Sequence, residues 1–497
     1  MKEKSFTGII SFTPKKMGLK HIPGPTALPV VGNLYQYMFN KSKILKYHEV
    51  LQQLYEKYGP IVRETFGNKT IIHLFDPVDA KTVLDNEDKR PFVVPLQETT
   101  LLYRKKSDMS LGLGNTNGEE WYRLRSAIKG FMFDFYGLRS LSVKKDGVFD
   151  DIIAKLGDEI DENGQVKDLR MLFGKWALES SGITCFDRRL GYLDSGDMEK
   201  LAEKIIEANK EVFYLSGLLK FSFPFYKYFP TPKWIKLEKA EDVITNGTKF
   251  QMEKAYDEMY EVMSENRGEI PSDRFEFLTE LRKKLNKKEI TTIMLSVHTD
   301  GLSTIVPSLL FNLYCLAINP EIQEKAYQEV KKLMAEGAPA TKEIISQSMW
   351  VSGTVKETFR FFPIGTEIAR ILKKDLVLSG HNIPEGSNIH INMNVHFFNE
   401  QYFRNARVFN PVRWSEGLSG LSEDAKRVRK YVLMPFGANI RSCAGRLLAD
   451  QDLILMISRV LYHYQLVYPE NEKPLQQVFN TLLVPDRNPP IRFIKRS

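Results

Sequence analysis

The residues best suited to chemistry lie in Phe436-Gly-Ala-Asn-Ile-Arg-Ser-Cys-Ala-Gly445, which runs into an amphipathic helix predicted to start near Arg446. A cysteine just ahead of a helix sees the positive end of its dipole, which favours thiolate over thiol. Glycine and asparagine around it permit left-handed backbone and close approach of a flat ligand. Arg441 supplies a cation for a ligand carboxylate. The three cysteines, Cys185, Cys315 and Cys443, exclude a disulfide scaffold and a four-thiolate zinc site and point to a reducing compartment. Taken alone, the loop also reads as a buried structural cysteine in a glycine-containing turn.

Other residues stand at telling spacings. Glu357 and Arg360 share one helix face at i, i+3, and Arg413 can complete a buried ion network with them. Trp121 and Arg125 lie one helical turn apart and can point at one carboxylate. In the apolar stretch Glu289–Asn319, the segment Asp300-Gly-Leu-Ser-Thr-Ile305 places a small residue, Gly301, near hydroxyls that can bend a helix and hold a water for proton delivery. Pro307 is expected to reinforce a kink. Individually, each has a plainer reading: a solvated ion pair, surface charge, or a core tryptophan.

In this order, the segments resemble the cytochrome P450 superfamily. Its haem-binding signature, Phe-x-x-Gly-x-Arg-x-Cys-x-Gly, is met by Phe436, Arg441, Cys443 and Gly445, with Asn439 where the family has glycine. Asparagine tolerates left-handed geometry best among the other residues, so strain rather than loss of haem is expected. The resemblance implies that Cys443 is the axial thiolate of heme b, a role that suits a thiolate without partners at zinc spacing. It implies that Trp121, Arg125 and Arg370 contact the propionates, and that Glu357, Arg360 and Arg413 form a structural triad behind the loop. Gly301 and Thr304 match the oxygen-binding segment, but Ser303 replaces its acid. Asp300, one turn before Thr304, is expected to take over the acid's role through Ser303 or ordered water.

The implied fold is mainly α with small β-sheets, in a single large triangular domain. The implied reaction is that of a haem-thiolate monooxygenase inserting one oxygen atom of O2 into an apolar, sterol- or steroid-like or otherwise lipophilic substrate. A haem-binding sensor or an idle family member is the alternative. Trp176-Ala-Leu-Glu-Ser180 and Arg189-Leu-Gly191 are similar to a segment of the mitochondrial branch. That branch implies electrons from a [2Fe–2S] ferredoxin, recharged by an NADPH-dependent ferredoxin reductase, and a peripheral position on the matrix side of the inner mitochondrial membrane. Lys356 matches a ferredoxin-contacting lysine of the branch, and Arg446 keeps half of its double arginine. Ser352 and Leu447 are departures, for which the run Lys426–Lys430 is expected to compensate.

The elements that must position these groups are legible in outline. The chain has 497 residues, 43% apolar and 27% charged, enough for a substantial core. A net charge of +8, spread along the chain, gives no support to nucleic-acid binding. Residues 1–20 read as a basic leader resembling a mitochondrial transit peptide, and 21–497 as the monooxygenase domain. Ile61–Phe66 and Thr70–Phe75 read as a hairpin around Gly67. Residues 119–361 read as mostly helical, broken at 221–234 and 268–272; strands and turns follow, then a helix over 446–464 and a β-rich tail. No apolar run reaches the length of a spanning helix. The aromatic break with Lys220, Lys227 and Lys233 suits a peripheral membrane contact or loop packing. Gly112–Gly118 has the wrong spacing for a dinucleotide fingerprint. Substrate contacts are expected from Val94–Tyr103, 213–221, Val297 and Thr366–Ile368, with Glu367 facing a basic or hydroxylated group or a neighbouring arginine.

Overall fold

The computed structural model describes residues 19–334, 341–417 and 420–496, so all but the end of the expected leader lies outside the described residues. The expected hairpin forms from β1 (Ile61–Phe66) and β2 (Lys69–Leu74), turning at Gly67 with φ +61°. With β3 (Ile368–Ile371) and β4 (Asn388–Ile391) it makes a four-stranded sheet in the order β1-β2-β4-β3. The β2–β4 pair is parallel and sets His73 opposite His390. The other described sheets are two-stranded ribbons, among them Gln477–Asn480 with Leu482–Pro485 in the tail.

Helices make up most of the rest: α1 (Pro77–Asp85), α2 (Gly118–Met132), α3 (Leu169–Phe186), α4 (Asp197–Lys220), α5 (Pro232–Glu265), α6 (Lys287–Thr299), α7 (Gly301–Ala317), α8 (Met349–Phe361) and α9 (Arg446–His463) carry the argument below. Both expected breaks are present, at the short turn Pro224–Lys227 and between Glu265 and Glu276.

The apolar stretch starting near Glu289 is not one kinked helix. It divides at Asp300, and Pro307 sits inside α7 without ending it. The Asn286–Glu289 capping box starts α6, and at the junction the Thr304 hydroxyl donates to the Asp300 carbonyl at 2.8 Å. Lys287–Ala317 does reach the length and apolarity of a crossing helix, contrary to the sequence reading. However, 78% of its most apolar window is buried, because α7 packs against α3, α8 and α9. One core runs from Leu124 on α2 to Phe493 in the tail, and a second covers the sheet with Ile72, Ile389 and Phe403.

Candidate active site

The Cys443 loop is a built turn. The Cys443 amide donates to the Phe436 carbonyl at 2.7 Å, and Gly445 stands at the N-cap of α9. Left-handed backbone falls at Gly437 (φ +74°) and, as expected, at Asn439 (φ +53°), whereas Gly445 has ordinary φ −85°. Asn439 is more than strained: its Nδ2 donates to the Leu84 carbonyl at 2.8 Å and to Glu87 at 3.0 Å, tying the loop to the end of α1. Phe436 packs edge-on against Phe359 of α8 at 5.4 Å.

Cys443 and Asp300 both keep accessible surface although protein atoms crowd around them, and the Asp300 charge is felt at the sulfur. Crowding by protein pushes the Cys443 thiol above its ordinary range, and the Gly445 amide and Arg125 oppose this.

Three guanidiniums converge beside the loop. Arg125 of α2 donates to the Ser442 carbonyl at 2.9 Å. Arg370 of β3 pairs with Glu87 and donates to the Ala438 carbonyl at 3.1 Å. Arg441 stacks 3.9 Å over the buried Trp121 ring and donates to the carbonyls of Pro91 (2.9 Å) and Thr116 (2.9 Å). Burial, then repulsion from Arg370 and Arg125, lowers the Arg441 pKa to about 9, with Glu87 opposing. The segment Gly112–Gly118 thus cradles Arg441 with its carbonyls.

Behind the loop, Glu357 accepts from Arg360 (2.6 and 3.1 Å) and Arg413 (3.3 Å), and also from the Trp414 indole (3.0 Å) and the Asn410 amide (3.0 Å), which the sequence reading missed. On the outer face, Lys356 and Arg446 are both exposed and share Asp450, whose carboxyl burial raises to about 6 against their pull.

The family model for cytochrome P450 matches residues 22–493. The chain is a cytochrome P450. It is 36% identical over 471 residues to a probable cytochrome P450, CYP44, of Caenorhabditis elegans, covering 93% of this chain and 91% of that one. It is 27% identical over 478 residues to the mouse mitochondrial 1,25-dihydroxyvitamin D(3) 24-hydroxylase, covering 96% and 89%. It is 25% identical over 487 residues to the ecdysone 20-monooxygenase of Drosophila melanogaster, covering 95% and 88%. Cytochromes P450 are oxidoreductases that bind haem through a cysteine thiolate. The residues here fit that group: mutually repelling arginines suit two propionates, and an accessible sulfur inside the fold suits a metal ligand.

The P450 structure separates the residues expected to relay protons. Burial raises the Asp300 carboxyl to about 6, Arg104 lowers it and Glu241 raises it again. Ser303 does not face Asp300: its hydroxyl donates to Asn209 of α4, which removes it from the expected route. Arg104 and Glu241 were missed because nothing in a lone charged residue announces burial. Glu367 accepts from Lys220 at 2.9 Å and lies 3.0 Å from His390 Nδ1, with no arginine beside it among the described residues. Lys227 likewise pairs with Glu98 at 2.7 Å, so only Lys233 of the three lysines remains for headgroups. Phe225, Tyr228 and Phe229 are exposed, while Tyr226 and Trp234 are buried. In the run Lys426–Lys430, Lys426 pairs with Glu423 at 2.7 Å and Arg429 lies 5.2 Å over the Phe403 and Trp414 rings. A cavity of about 220 Å³ lined by Asn209, Ser303 and Pro307 includes no residue of the cysteine loop.

Proposed function

We propose that this P450 hydroxylates a sterol-like lipid inside mitochondria, drawing electrons from a [2Fe–2S] ferredoxin recharged by an NADPH-dependent reductase. The observation that carries this reading is an accessible Cys443 at the head of α9, within electrostatic reach of Asp300 and beside the converging guanidiniums of Arg125, Arg370 and Arg441. The relatives named as a vitamin D hydroxylase and an ecdysone monooxygenase support the lipid class. Relatives named mitochondrial, together with the basic residues 1–20, support the location, with residues 21–497 as the enzyme domain on the matrix side of the inner membrane. Exposed Phe225, Tyr228 and Phe229 beside Lys233 suit a peripheral membrane contact there.

Cys443 would hold haem through its sulfur, and Trp121, Arg125, Arg370 and Arg441 would hold its carboxylates. When bound, haem would supply the activation of dioxygen, with electron push from the thiolate. Phe436 and Gly445 shape the loop, and Gly301 is the small residue that would leave room for dioxygen. Asp300 takes protons from the interior and hands them on beside Thr304, whose hydroxyl already engages the Asp300 carbonyl. Ser303 fixes α7 to α4. The triad Glu357, Arg360 and Arg413 holds the chain under the loop, while Lys356 and Arg446 meet the acidic ferredoxin.

The test is turnover of a sterol panel by the purified protein with ferredoxin, reductase and NADPH. A hydroxylated product together with the carbon-monoxide difference spectrum of a haem-thiolate is expected. Haem bound through thiolate without any turnover would instead mark a sensor or an idle family member.

A further inference from the structure

The four-stranded sheet contains a polar cluster that the P450 reaction does not use. Parallel register sets His73 of β2 opposite His390 of β4, and Glu367 immediately precedes β3. Each of the three offers a ligand atom within 4.8 Å of the others. Their side chains are almost wholly buried: 0% exposed for His73, 4% for His390 and 8% for Glu367.

The surroundings are built as a donor set and a supporting shell. His73 Nε2 lies 3.1 Å from Glu64, and Glu64 in turn accepts from the Tyr37 hydroxyl at 2.9 Å. A carboxylate on one ring nitrogen is the usual means of fixing the tautomer of a metal-binding histidine. His390 Nε2 and Glu367 Oε2 have no hydrogen-bond partner among the described residues. Such orphaned buried atoms are costly unless something else satisfies them.

Charge points the same way. Two buried carboxylates, Glu64 and Glu367, flank the histidines, and the Lys220 ammonium sits 2.9 Å from Glu367 Oε1. Buried charge is normally paired or bound to a metal. Lys220 is the last residue of α4 and keeps 28% of its side chain exposed, so it can withdraw to water and leave two carboxylates for a dication.

We propose that His73, His390 and Glu367 form a site for a divalent transition-metal ion of the zinc class, which displaces Lys220 from Glu367 while Glu64 orients His73. Two imidazoles and a carboxylate are the donors such an ion prefers, with a fourth position left for water. Bonds of about 2.0–2.2 Å require the three ligand atoms to draw closer than they stand now.

The experiment uses haem-loaded protein stripped with a chelator and titrated with Zn²⁺ alone, read as zinc per haem and by calorimetry. One zinc per haem is expected. His390→Gln should weaken binding at least ~100-fold and Glu64→Gln ~10-fold, the size of a lost supporting partner. Lys220→Met should tighten it by removing the competing cation. The carbon-monoxide difference spectrum reports that each variant is folded. Zinc uptake no different in a His73→Gln/His390→Gln double variant overturns the site. If the histidine variants fail to load haem, Lys220→Met decides: tighter binding supports the site, and unchanged or weaker binding overturns it.

Discussion

Ser303 and Asn439 are departures from the family pattern, and Asp300 is the acid expected to act in place of the one missing at 303. Burial makes ionised Asp300 costly: its carboxyl titrates at about 6, against about 3.9 unfolded. A raised carboxyl pKa favours the folded state at low pH. That contribution is complete below pH 4 and is lost as pH rises through 6, and because the side chain keeps accessible surface the penalty at pH 8 is smaller than the full shift implies. Asp300→Asn should therefore raise the Tm at pH 8 and leave it nearly unchanged at pH 4. The same variant should waste electrons, with a smaller share of NADPH appearing as product and more as peroxide; unchanged coupling would remove Asp300 from proton delivery. Asn439 combines left-handed backbone with bonds to Leu84 and Glu87. Asn439→Ala loses both bonds, about 2–3 kcal/mol together, and keeps the left-handed backbone. Asn439→Gly loses the bonds but relieves the backbone, so denaturant unfolding should rank Asn above Gly above Ala.

At the scale of elements, what was legible followed from spacing. The i, i+3 pair Glu357–Arg360, the turn-spaced Trp121 and Arg125, the hairpin at Gly67 and the helix after Cys443 all stand where local periodicity put them. What was not legible depends on which face a residue presents after packing. Ser303 follows the helix around to Asn209 rather than toward Asp300, and the Cys443 thiol is governed by burial that no local motif encodes. The break of the long apolar stretch fell at Asp300 rather than at Pro307, seven residues before the proline, because α7 can carry Pro307 within its packed core. The Glu357 network joins α8 to the 404–414 segment through two arginines and Trp414. Removing its anion strands both guanidiniums in the interior, so Glu357→Ala should cost about 3–5 kcal/mol. Because the segment lies behind the Cys443 loop, the loss should appear as haem-free protein before it appears as altered substrate preference, a ratio that absorbance of haem against protein measures.

Across the whole molecule, net charge is modest, so an encounter with an acidic ferredoxin depends on where the cations stand rather than on their number. Lys356 and Arg446 are both exposed, but their charges are shared with Asp450. Its carboxyl titrates at about 6, so at pH 7.5 it is ionised and offsets part of the patch. Two opposite outcomes follow. Lys356→Gln and Arg446→Gln should each raise the KM for ferredoxin several-fold with kcat for the hydroxylation little changed, since steering acts on the encounter rather than on the chemistry. Asp450→Asn should do the reverse and speed reduction at low ionic strength, because the patch then carries its full charge. The screening length shrinks to about 3 Å near 1 M salt, where all three variants should converge on the unmodified protein. Stopped-flow reduction across a salt series distinguishes this from damage to the fold: a variant that stays slow at high salt has lost structure or docking contacts. Indifference to salt in the unmodified protein would mean that charge does not guide the approach at all.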